Sequence, residues 1–349
     1  MKFLFLETFN GSNGCELYYA SCVAKKIAQM VKELGHEVIE VDRPSPADAN
    51  NAIKTHRPDI VWWVGHGNAD STTLEKVQYW ITTTKNQSIL DGTIADALSC
   101  ITARNLGKLL TKSYGCKYYL GYYSEFWFVW CQCPNTTGCA CGEHTPSGVR
   151  KKVAEYAFSC MHEANLYFIL GLAKGFTPEQ AHWYSLERFE QWIKFWKSFE
   201  PQNNKENSLI ASVLQVLKID KPIQRLCHNG EYVDPEPAPE SPPPIPPIGK
   251  AVLHVTSNPA GAKVYVDGSY KGDTPLDVYV EPGTHTVKVE LEGYVPQERT
   301  ITCEEGKTYE VSFNLTKPTV VPLQMMSLPL GLAAIGYGLY KLKEVLGER

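Results

Sequence analysis

The stretch Asp59-Ile60-Val61-Trp62-Trp63-Val64-Gly65-His66-Gly67-Asn68 constrains this chain more than any other. It follows Pro58, runs through five apolar residues and ends on a histidine between two glycines. A short, continuous apolar run bounded by turn residues reads as a strand buried on both faces of a parallel sheet. In open α/β sheets the chemistry gathers just beyond the carboxyl ends of such strands, which is where His66 falls. A second apolar stretch, Ile94-Ala95-Asp96-Ala97-Leu98-Ser99-Cys100, ends the same way on a cysteine. If the two strands are neighbours, an imidazole and a thiol meet at one sheet edge, the pairing of base and nucleophile that a cysteine hydrolase uses.

The flanking sequence supports such a sheet. Residues 1–8 are strand-like. Residues 16–34 place Leu17, Ala20, Val23, Ala24, Ile27, Val31 and Leu34 at helical spacing and stop at Gly35. Residues 36–42 form a second strand, 47–56 a short helix, 68–92 an irregular polar segment, 101–115 a helix and 116–123 a fifth strand. Alternation of strand and helix implies right-handed crossovers and a mostly parallel sheet with helices on both faces. Residues 153–174 and 178–199 read as two long helices. Trp183, Phe189, Trp192, Phe195, Trp196 and Phe199 recur on the second at three-to-four spacing, the pattern of a core face rather than of a ligand box.

At 349 residues the chain is long enough for two domains or more. A formal net charge of −4, without a clustered basic face, argues against a nucleic-acid partner. The first seven residues are apolar but too short for a signal-peptide core and lack a small-residue cleavage site, so they are expected to be the first strand. The first domain, 1–233, is then expected to stay where it is made with its thiols reduced. Residues 234–249 (DPEPAPESPPPIPPIG) hold neither helix nor sheet and read as a stiff, extended linker. From 250 to 316, short alternating runs separated by Gly, Pro and Asp predict a small all-β sandwich. Residues 317–349 include a stretch, 320–340, without a charged residue and long enough to cross a bilayer, although it carries Pro322, Pro329 and three glycines. It is expected to be a hydrophobic helix anchoring the protein to a membrane, in an orientation the sequence leaves open.

The order strand, His66-Gly67, strand, Ser99-Cys100 resembles the caspase-like superfamily of cysteine peptidases. The flanks are most similar to its gingipain-like branch: Arg104-Asn105-Leu106-Gly107 after the cysteine, Leu120-Gly121-Tyr122, and Gly175-Phe176-Thr177-Pro178-Glu179-Gln180-Ala181 opening a helix. The resemblance covers about the first 230 residues. It implies a caspase-like α/β fold, a protein or peptide substrate, no cofactor for catalysis, and a His66–Cys100 dyad with the backbone N–H groups of Gly67 and Cys100 forming the oxyanion hole. Physical chemistry agrees: a thiol needs a nearby base or cation to ionise, and a helix starting near Thr102 would favour a thiolate at Cys100 through its dipole. A third, His-orienting group is unassigned, with Asp70 and Glu7 as candidates. Ser257-Asn258-Pro259-Ala260-Gly261-Ala262-Lys263-Val264-Tyr265-Val266-Asp267-Gly268, Gly272-Asp273-Thr274-Pro275-Leu276 and Glu292-Gly293-Tyr294 resemble the PEGA domain across the whole β region.

Eleven cysteines is an odd number, so pairing within the chain cannot be complete. Cys131, Cys133, Cys139 and Cys141, with His144 nearby, crowd the loop after the fifth strand. Four soft ligands so close can hold a structural zinc, although the spacing is Cys-x-Cys twice; a pair of local disulfides or free thiols are the alternatives. Two functions compete. One is a tethered cysteine endopeptidase; the other is a catalytically inactive caspase-like scaffold that serves as a surface or assembly binding protein.

Overall fold

A computed structural model describes residues 1–8, 18–74, 78–127 and 145–318. These residues divide into two compact units, one dominated by residues 1–254 and one drawn from the β-rich region after it.

In chain order the first region comprises β1 (Lys2–Glu7), α1 (Tyr18–Glu33), β2 (Glu37–Asp42), α2 (Pro46–His56), β3 (Ile60–Val64), β4 (Gly67–Asn68), β5 (Ser71–Leu74), β6 (Gln78–Thr82), β7 (Ile94–Leu98), α3 (Leu106–Ser113), β8 (Tyr118–Tyr122), α4 (Lys151–Ala173), α5 (Pro178–Ser198), α6 (Asn204–Ile223), β9 (Gln224–His228) and β10 (Glu231–Val233). A seven-stranded sheet runs β10-β9-β8-β7-β3-β1-β2. Its five strands from β2 to β8 are parallel, and β9 and β10 extend it antiparallel. The mixed α/β class expected from the sequence is therefore present.

Alternation along the strands divides two cores. Phe3, Phe5, Ile60, Trp62 and Val64 face the layer of α1, α4, α5 and α6. Leu4, Leu6, Val61, Trp63, Ala95 and Ala97 face α2 and α3. A strand buried on both faces has no polar side to show, which is why β3 reads as an unbroken apolar run. Helix starts follow local chemistry: Ser45 and Asp48 form a capping box on α2, Thr177 and Gln180 another on α5, and Pro46 and Pro178 occupy the first turn. On α5, Phe189, Trp192 and Trp196 are buried, as the aromatic spacing predicts.

Three features differ from the sequence reading. Residues 68–92 are not merely irregular: β4, β5 and β6 form a small antiparallel sheet. The helix expected over 101–115 starts only at Leu106. And the segment after β10, which the sequence reads as a stiff, extended linker, lies against α4 and α5, with Ile245 buried in the first core.

The later region comprises β11 (Ala251–Asn258), β12 (Lys263–Val266), β13 (Ser269–Asp273), β14 (Leu276–Val280), β15 (Gly283–Glu290), β16 (Gln297–Cys303) and β17 (Thr308–Asn314). They form two sheets, β14-β11-β17 and β13-β12-β15-β16. Between β12 and β13 the chain turns on Asp267 and Gly268, both at positive φ (50° and 77°), the two-residue hairpin that an Asp-Gly pair favours. Among the described residues no helix is long and apolar enough to cross a membrane. The stretch 320–340 and the cluster Cys131, Cys133, Cys139 and Cys141 lie outside the described residues.

Candidate active site

β3 and β7 are neighbours in parallel, with Val64 opposite Leu98. Two residues further along each strand end are His66 and Cys100, so the sheet register brings them to one carboxyl edge. The link is tight. Gly65 N–H donates to Leu98 O at 3.2 Å, and Ser99 Oγ donates to Gly65 O at 3.0 Å. A β-carbon on Gly67 would fall 2.7 Å from Cys100 O and 2.6 Å from Thr102 Cγ2, so only glycine lets the histidine turn lie against the cysteine turn. One on Gly65 would overlap the carbonyl oxygen of Thr73.

The histidine turn is set by β5. His66 N–H donates to Thr73 Oγ1 at 3.0 Å, and Thr73 N–H donates back to His66 O at 2.9 Å. Thr72 Oγ1 accepts from Trp63 Nε1 at 2.9 Å and shares a hydrogen bond with Ser99 Oγ at 2.9 Å. Thr72, Thr73 and Ser99 thus tie both turns into one unit. The sequence places Thr72 and Thr73 inside an irregular polar segment; the β-branched pair itself is the available strand cue.

Cys100 is partly buried, with Sγ 3.7 Å from Phe126 O. Burial pushes its thiol above the ordinary range; the Phe126 backbone opposes this, and the Glu125 and Asp220 carboxyls add to it. Ile101 follows at φ 61°, a left-handed conformation costly for a β-branched residue, and its N–H donates to Ser124 O at 3.1 Å. The strain sits directly after the thiol. The helix dipole expected to aid Cys100 is not placed to do so. Residues 101–105 form turns, and α3 begins at Leu106, whose N–H donates to Ala69 O at 2.9 Å. Ile101 at positive φ cannot join a right-handed helix, and the N–H groups of Ile101 and Ala103 donate instead to Ser124 O and Tyr122 O.

Of the two candidate orienting groups, Asp70 is exposed and accepts from Asn105 Nδ2 at 3.1 Å. Glu7 ends β1 one register step beyond the Leu6–Trp63 pair, which sets it opposite Val64. Its side chain is 1% exposed, 3.6 Å from Lys25 Nζ. Burial raises its carboxyl to about 7; Lys25 opposes, while Glu40 and Asp42 add to the rise.

Several groups near Cys100 carried no sequence cue. Phe126 packs on Tyr122 at a ring separation of 4.6 Å and lies 6.0 Å from the buried His162, whose imidazole burial pushes down to about 3. Trp127 N–H donates to Asp220 Oδ1 at 2.9 Å across 93 residues of sequence. On β7, Asp96 is fully buried, and burial pushes its carboxyl well above the ordinary range; Asn165 Nδ2, 3.4 Å from its Oδ1, opposes this. Asn165 in turn donates to Tyr122 Oη at 3.2 Å. Among the described residues no group of three or more His, Cys, Asp or Glu side chains is arranged to hold a metal ion. Cys22 is disulfide-bonded, against the expectation of uniformly reduced thiols, while Cys100, Cys116, Cys160 and Cys227 are free thiols among the described residues.

Comparison with solved structures finds distant likenesses. The complex of the pro- and mature domains of Porphyromonas gingivalis RgpB matches with a TM-score of 0.34 and 9% identity, over 87% of this chain and 68% of that one. The Arg-specific cysteine proteinase gingipain R matches with a TM-score of 0.30 and 10% identity, over 87% and 67%. These likenesses are too distant to carry residue roles. No curated protein matches the sequence. The β-rich region is similar to a known family: residues 250–318 match the PEGA domain.

Proposed function

We propose that this protein is a cysteine endopeptidase in which Cys100 is the nucleophile and His66 its general base. The observation that supports this best is the β3–β7 register, which sets a His-Gly turn against a Ser-Cys turn at the carboxyl edge of a parallel sheet. In the reaction, His66 takes the Cys100 proton as sulfur attacks a peptide carbonyl. The N–H groups of Gly67 and Cys100 donate to the developing oxyanion. The imidazolium then protonates the departing amine, and water, activated by the same imidazole, hydrolyses the thioester. Tyr123 and Trp127, 42% and 50% exposed, flank Phe126 and offer aromatic surface to substrate side chains. The protein or peptide substrate displaces the Phe126 carbonyl from the thiol as it binds, and no cofactor takes part.

The raised thiol of Cys100 favours a second reading, an inactive caspase-like scaffold carrying a PEGA module. A peptide electrophile directed at thiols separates the two. On the peptidase reading it labels Cys100 faster than buried Cys227, and His66→Ala abolishes that preference. Equal labelling of Cys100 and Cys227 decides for the scaffold. The remaining proposals concern regions beyond the described residues. The cluster Cys131, Cys133, Cys139 and Cys141 holds structural zinc or two disulfides, which metal content and free-thiol titration distinguish. The tail 317–349 anchors the chain to a membrane; a full chain as soluble on cell fractionation as residues 1–316 refutes it.

A further inference from the structure

Residues 234–249 adopt neither helix nor strand, yet part of the segment is buried. Pro242, Ile245 and Pro246 are buried; Pro242, Ile245 and the partly buried Ile248 recur at intervals of three residues. Three residues per turn is the period of a polyproline II helix, which places every third side chain on one face. That face meets the α4–α5 layer, where Ile245 joins the core and Ile248 packs against it; Ala238, four residues before Pro242, packs against the core as well.

Such a helix makes no internal hydrogen bonds, so its carbonyls are free to be recognised. Two consecutive ones are. Gln191 Nε2 donates to Pro242 O at 2.7 Å, and Arg188 Nη1 donates to Pro243 O at 2.6 Å. Arg188 is itself held by Glu163, at 2.6 Å, and stacked over Tyr167, 4.6 Å from the ring centroid. Glu163 also accepts from Trp192 Nε1 at 2.9 Å. The donors are therefore built into the helix layer. At the upstream end Lys174 Nζ lies 2.6 Å from Glu240 Oε1, and Glu236 N–H donates to Glu179 O at 3.2 Å. Aromatic surface, a fixed arginine and an amide reading successive carbonyls are the means by which proteins bind proline-rich segments.

We propose that the α4–α5 face is a polyproline II recognition site, and that its occupant is the chain's own segment 236–248, bound in cis as a displaceable strap. The stiff composition that marks the segment as a spacer also makes it a ligand with little conformational entropy to lose.

The test uses the full chain and a Glu-specific endoprotease, following the Glu240–Ser241 bond by mass spectrometry. Lys174→Ala combined with Gln191→Ala leaves the cut sequence untouched and removes two surface contacts. It should speed cutting roughly 10-fold, since cleavage tracks the open population. A peptide of residues 234–249 carrying Glu240→Gln, at the millimolar level that competes with a tethered segment, should speed cutting of the unaltered chain. Equal cutting of the unaltered and double-variant chains overturns the docked strap. Protection that the peptide does not relieve makes the contact fixed packing and overturns recognition. Elution of the protected chain as a dimer puts the strap on a second copy and overturns binding in cis.

Discussion

The two faces of the central sheet are built to different rules. The face toward α2 and α3 packs without a buried carboxyl among the described residues: Trp63 meets Trp80 edge-on at 5.1 Å and Tyr119 at 5.9 Å, and its indole nitrogen is satisfied by Thr72. The face toward α1, α4 and α6 carries Glu7 and Asp96 on its strands and Asp220 in its helix layer, all buried and all with carboxyls pushed upward. Cys100 packs on this second face. One side of the sheet is spent on stability. The other carries ionisable groups at a cost, beneath and beside the candidate nucleophile, and perturbed groups of that kind gather where chemistry is done.

The contrast can be broken most severely at Trp63. Trp63→Ala should cost about 3–5 kcal/mol of unfolding free energy, because a fully buried indole leaves a cavity that its aromatic neighbours cannot fill. Denaturant titration measures it; a loss below about 1 kcal/mol would mean that this face is not the stabilising one.

The second face should respond to pH in the opposite direction from a set of paired carboxylates. A carboxyl raised on folding adds stability that is complete below its unfolded value and is lost as pH climbs through its folded value. For Glu7 that window runs from the ordinary 4.5 to about 7. Glu7→Gln should therefore leave stability little changed near pH 4 and raise it at pH 8 by no more than about 3 kcal/mol. Asp96→Asn should act in the same sense, with the gain beginning lower because the ordinary value is 3.8. Stability curves at the two pH values check both; a Glu7→Gln gain that is the same at acid and alkaline pH excludes titration as the cause.

The smallest expected effect is at Ile101. Ile101→Gly relieves the left-handed strain and should raise stability by about 1 kcal/mol. On the peptidase reading the same change loosens the thiol and slows labelling of Cys100. More stable protein with unchanged labelling would make the strain incidental to the site.

Much of the scaffold was legible in local pattern. Continuous apolar runs marked β3 and β7, and Gly-His-Gly and Ser-Cys marked their ends. The Asp267-Gly268 pair marked a hairpin, and the proline-rich composition marked a segment without helix or sheet. Each of these is a property of a few neighbouring residues, since burial on both faces, a positive φ or a locked φ leaves its trace in adjacent side chains.

What the sequence alone determined, then, is which segments become strands, which residues end them, and where the chain stiffens. Tertiary structure decided how those ends are used. It brought Thr72 onto Ser99, and carried Phe126 over Cys100. It set Asp220 beside Trp127, moved the start of α3 from Thr102 to Leu106, and laid the proline segment on Arg188 and Gln191. These depend on pairings between residues tens of positions apart, or on a backbone strain that such pairings impose. Their free energy comes from burial shared by two distant segments, and neither segment carries a record of its partner in its own periodicity.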